Sequence, residues 1–98
     1  MMHKDTRVYQ IDHNGRLIQF IVLWYGDKKS RVTICDQNYA WTHFFSGHRF
    51  ERVEQFFCDV TDCYLLDNFC RNKTRSERAR LRAVILSIVE FFNGGNSE

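Results

Sequence analysis

The sequence predicts an α+β domain: a small antiparallel β-meander of three strands, with a fourth left open, followed by two or three helices packed on the sheet. Three observations carry this. The first half consists of short β-branched and aromatic runs divided by Gly and Asn. After Ser46-Gly47 the apolar spacing changes from every second residue to every third or fourth. The C-terminal quarter carries both the start and the stop signals of a long helix.

The 98 residues are read as one domain, 1–98, with short mobile ends at 1–5 and 94–98. Residues 7–12 and 16–25 flank Asn14-Gly15, a pair suited to the two positive φ angles of a type I′ hairpin. That turn sets Ile11 against Ile18, Tyr9 against Phe20 and Arg7 against Val22 on one side, and Val8 against Ile21 on the other. The second strand is apolar on both faces, so its outer face calls for a cover or for association. Gly26-Asp27-Lys28-Lys29 reads as the next turn, and 31–35 as the third strand. Tyr39, Trp41, Phe44 and Phe45 fit neither alternation nor a helical stripe cleanly, which leaves an edge strand and an aromatic loop both open.

Val53, Phe56, Phe57, Val60 and Tyr64 have the spacing of an amphipathic helix beginning near Arg49. Thr61-Asp62 interrupts it, with Asp62 as a cap, and one bent helix or two both fit. A last helix spans about residues 75–93, between a capping-box pair, Thr74 and Glu77, and the stop Gly94-Gly95. Leu81, Val84, Ile85, Ile88, Phe91 and Phe92 form its core-facing side.

Charge is concentrated at the start of that helix. Residues 71–82 hold six Lys or Arg and one acid, whereas residues 1–70 hold eight Lys or Arg against nine acids. Cations at a helix N-terminus oppose the macrodipole, which points to an anionic partner. Arg75, Arg78 and Arg82 lie within about 60° of one another at 100° per residue, and Leu86 and Val89 continue their line. Guanidinium groups followed by aliphatic carbons make a protein-binding stripe. The competing reading places Leu86 and Val89 beneath another helix of the chain.

Chemistry finds little support. Cys58, Cys63 and Cys70, and His43 and His48, lack the close spacing of a structural zinc site, so no metal and no cofactor is expected. Glycine-rich phosphate loops, G-x-S-x-G and H-E-x-x-H are absent. With no leader in the sequence and no apolar run near the roughly 20 residues that cross a bilayer, the chain is expected to be cytoplasmic, with free thiols and no membrane partner.

The expected function is therefore non-enzymatic: a small protein that occupies a macromolecular partner, most simply a protein with an acidic surface. Phage and mobile-element inhibitors of host proteins have this economy, an analogy of class with no motif behind it. The alternative is nucleic-acid binding, in which Lys73, Arg75, Arg78 and Arg82 track phosphates and Trp41 stacks on a base. A homo-oligomer is compatible with either. On the first reading, Arg78→Glu with Arg82→Glu weakens binding and leaves the fold intact.

Overall fold

The computed structural model describes residues 4–47 and 52–95. Four strands, β1 (Asp5–His13), β2 (Arg16–Gly26), β3 (Lys29–Asp36) and β4 (Tyr39–Phe45), form an antiparallel meander in the order β1-β2-β3-β4. Helices α1 (Val53–Asp59), α2 (Asp62–Cys70) and α3 (Arg75–Glu90) follow. A last turn, Phe91–Gly95, ends where Gly94 takes φ 118°.

The hairpin register is as the turn chemistry dictates. Ile11 pairs with Ile18, Tyr9 with Phe20, Arg7 with Val22 and Val8 with Ile21, around Asn14 and Gly15 at φ 53° and 82°. The sheet reaches further toward the N-terminus than the expected arm at 1–5, since Asp5 pairs with Trp24 and Lys4 N–H donates to the Trp24 carbonyl. Residues 1–3 and 96–98 lie outside the described residues.

The segment 39–45 is a strand. Tyr39, Trp41, His43 and Phe45 alternate onto the face that carries Ile34 and Val32. Phe44, an apolar residue on the opposite face, obscures that alternation in the sequence.

The helical region after Ser46-Gly47 is two helices in place of one bent helix. Val60, at φ −96° and ψ 167°, leaves the helical region, and Thr61 begins the next helix by accepting from the Tyr64 N–H. Thr61 is thus the cap, and Asp62 occupies the first helical position. The expected start near Arg49 falls outside the described residues; α1 begins at Val53.

Thr74 caps α3 by accepting from the Glu77 N–H at 3.2 Å. The reciprocal half of the capping box is not made, because the Glu77 carboxylate accepts from Trp41 Nε1 at 2.8 Å. The α-helix ends at Glu90, a few residues before the expected 93, and the wider last turn brings Phe91 and Phe92 back toward the sheet, where both rings lie edge-on to Tyr9.

One core lies between the sheet and the helices. Ile18, Phe20, Val22, Val32 and Ile34 meet Leu81, Val84, Ile85 and Ile88, all fully buried. Phe57 stands edge-on to Phe20, Phe45 and Phe69, so α1, α2, β2 and β4 share one aromatic cluster. Such rings add directional packing to the burial of area.

Candidate partner-binding surface

The arginines of residues 71–82 are divided among three surroundings. Arg80 turns onto the sheet: its Nε donates to Asp36 Oδ2 at 3.1 Å, its Nη2 to Gln37 Oε1 at 3.0 Å, and its guanidinium lies 4.5 Å from the Tyr39 ring centre. Asp36 is fully buried and also accepts two bonds from Arg16, at 3.1 Å each. Burial alone would raise its carboxyl, but the hydrogen bonds and charges of Arg16 and Arg80 hold it below the ordinary range.

Arg78 and Arg82 face α2. Arg78 donates to Asp67 at 3.1 Å and to the Cys70 carbonyl at 3.0 Å, and Arg82 Nε donates to Asp62 Oδ2 at 2.6 Å. The Arg82 hydrogen bond holds Asp62 below the usual carboxylate range. These bonds explain part of the cation cluster without a partner. The start of α3 adjoins the end of α2, where the dipole favours positive charge and the last carbonyls need donors.

Both arginines bond α2 to α3, so reversing Arg78 and Arg82 removes these bonds and sets two glutamates beside Asp67 and Asp62, a cost to the fold that the expectation did not count.

Arg71, Lys73 and Arg75 are exposed and form no side-chain hydrogen bond or ion pair with another described residue. Of the apolar continuation, Leu86 is 53% exposed, whereas Val89 is half-buried and packs against the core. Leu86 is thus left open, while Val89 is partly taken into the chain's own core. Trp41 is buried, stacked on Tyr39 and bonded to Glu77, which takes it from the base-stacking role.

Sequence reasoning missed the buried polar cluster under α1. Glu54 accepts from Arg7 Nε at 2.6 Å, Arg7 Nη2 at 2.9 Å, Tyr9 Oη at 2.7 Å and Arg52 Nη2 at 3.4 Å. Burial works against its charge, yet these donors hold Glu54 ionised and below the usual range. Burial, reinforced by the neighbouring carboxylate, pushes the Tyr9 hydroxyl up. With four bonds accepted, Glu54 anchors β1 to α1, and an open cleft of about 550 Å³ beside it is lined by Arg52, Gln55 and Phe92.

His13 Nδ1 and Ser87 Oγ lie 2.6 Å apart and join β1 to α3. Among the described residues no carboxylate partners the other ring nitrogen, so the pair lacks the orienting group of a nucleophilic triad. No group of three or more His, Cys, Asp or Glu among the described residues is placed to hold a metal ion. The four cysteines are free thiols, with Cys63 exposed and Cys70 buried.

A model of a phage protein family, Phage_phiTE_072, matches residues 1–93. The chain belongs to that phage family. The match takes in the whole meander and all three helices of this phage protein, the cationic start of α3 included. No curated protein and no solved structure matches it. None of its described helices is long and apolar enough to cross a membrane.

Proposed function

We propose that this phage protein acts by occupation, binding the acidic surface of a host protein as an inhibitor or modulator without a catalytic step. The observation that carries the reading is the exposed line on α3. Arg75 has no side-chain partner among the described residues and stands at its head, Arg82 presents more than half of its side chain to solvent, and Leu86 is exposed beyond it. A solvated helix gains nothing from an exposed leucine there; a partner that buries it does. The arginines speed and orient the encounter, and Leu86 supplies buried contact.

Capture from lysate of the bacterial host, with Leu86→Asp and Arg75→Glu as paired controls, tests this. Both positions are exposed and outside the α2–α3 bonds, so the fold is retained. A partner held by the wild type and lost by both variants supports the reading. A partner held equally by all three overturns it.

Arg71, Lys73 and Arg75, exposed and without a side-chain partner among the described residues, favour a second reading, in which the same end contacts phosphates. Nuclease treatment separates the two: a complex that survives it is protein-held, and one that disperses is nucleic-acid-held.

A further inference from the structure

Behind the helices the sheet presents a second surface, and no described helix covers it. Alternation places Val8, Gln10 and Asp12 of β1 there, with Leu17, Gln19, Ile21 and Leu23 of β2. From β3 and β4 come Arg31, Thr33 and Cys35, with Ala40, Thr42 and Phe44. Val8 is 52% exposed, Leu17 55% and Phe44 40%, while Ile21 and Leu23 are half-buried among their neighbours.

The charges on this face are arranged by end. Asp12 lies next to the Asn14-Gly15 turn, and Lys29 and Arg31 lie next to the Asp27-Lys28 turn at the opposite end. Between them the rows Val8-Ile21-Thr33-Thr42 and Gln10-Gln19-Cys35-Ala40 carry no charge. An uncharged centre with apolar residues, bounded by charges, has the composition of an interface core and its rim.

We propose that this face is the contact between two copies of the chain, packed face to face about a two-fold axis with their strands reversed. Reversal brings the Asp12 end of each copy against the partner's Arg31 end, and Leu17 of each toward the partner's Leu23. A surface with its acid at one end and its cations at the other complements itself only in that sense. At strand spacings of about 4.8 Å and a rise of about 3.4 Å per residue, the face measures about 20 Å by 24 Å. Two copies then bury on the order of 1,000 Å² together, the size of the smaller, reversible interfaces. The contact uses the layer opposite α3, so it stands or falls independently of the host-protein reading.

Sedimentation equilibrium of the full chain over a wide concentration range tests it. The wild type should approach twice 11.8 kDa, and Val8→Glu and Leu17→Glu should raise the dissociation constant at least about tenfold. Asp12→Arg and Arg31→Asp should each weaken the dimer, and the two together should restore it. A monomer at every concentration overturns the proposal. So does a dimer indifferent to Val8→Glu and Leu17→Glu, which places the contact at a free edge of β1 or β4 or on the helices. A double exchange no better than its single variants overturns the reversed arrangement, and it decides alone if the Val8 or Leu17 variants do not fold.

Discussion

Arg80 and Asp36 meet at 3.1 Å, joining the first turns of α3 to the end of β3 across 44 residues of sequence. One arginine of the cation-rich stretch is thereby an internal strut. Its carboxylate partner is fully buried and is shared with Arg16 from the neighbouring strand.

Removing that carboxylate strands two guanidinium groups at once. Asp36→Ala should lower the unfolding free energy by about 3 kcal/mol in urea titration, the scale for breaking a buried pair from one side. Arg80→Met, which keeps the stem and leaves Asp36 bonded to Arg16, should cost distinctly less. Equal losses would mean that Arg16 does not satisfy Asp36 by itself.

Stability should fall with acid in two stages. His43 has its pKa lowered by burial, so the unfolded chain takes its proton first. The contribution of neutral His43 is whole above the unfolded value of about 6.5 and is lost as pH falls toward the folded value. Asp36, Glu54 and Asp62 are also depressed, and their contributions are whole above the ordinary carboxylate range near pH 4 and are lost below it. Urea midpoints measured from pH 8 to pH 3 should show both stages. His43→Leu should remove the upper one and leave the lower, and persistence of the upper stage in that variant would assign it elsewhere.

Ser30 Oγ is buried and has no hydrogen-bond partner among the described residues. Ser30→Ala removes a polar atom and leaves nothing unpaired, so stability should hold or rise by up to about 1 kcal/mol in thermal or urea unfolding. A clear loss would show that the hydroxyl is bonded in solution.

The hairpin and the core face of α3 were legible in the sequence because local rules govern them. Asn14-Gly15 sets a register, and Leu81, Val84, Ile85 and Ile88 repeat at helical spacing. β4 was ambiguous because its inward set includes His43, while Phe44 points outward. The surface on α3 was partly legible. Periodicity aligned Arg75, Arg78 and Arg82 with Leu86, but Asp62 and Asp67 reach two of those arginines only because α2 doubles back. The Arg7–Glu54 contact joins residues 47 apart, and no local pattern announces it. Asp36 left a fainter trace: an acid two residues beyond Ile34 shares its inward face, where only a paired charge is tolerated.

Reversing Arg82 should harm folding as well as binding, since its Nε lies 2.6 Å from Asp62. Arg82→Glu should lower the melting temperature, and Asp62→Arg in the same chain should recover it. Arg75→Glu should leave it unchanged. A melting temperature indifferent to Arg82→Glu would mean that the α2–α3 bond contributes nothing in solution.

The most direct measurement is calorimetric titration of the captured host partner with the wild type, Leu86→Asp and Arg75→Glu, at low and at high salt. Wild-type affinity should fall as salt rises, Leu86→Asp should weaken binding at least about tenfold at both salts, and Arg75→Glu should weaken it mainly at low salt. Wild-type affinity retained by both variants would contradict a partner-binding face on α3.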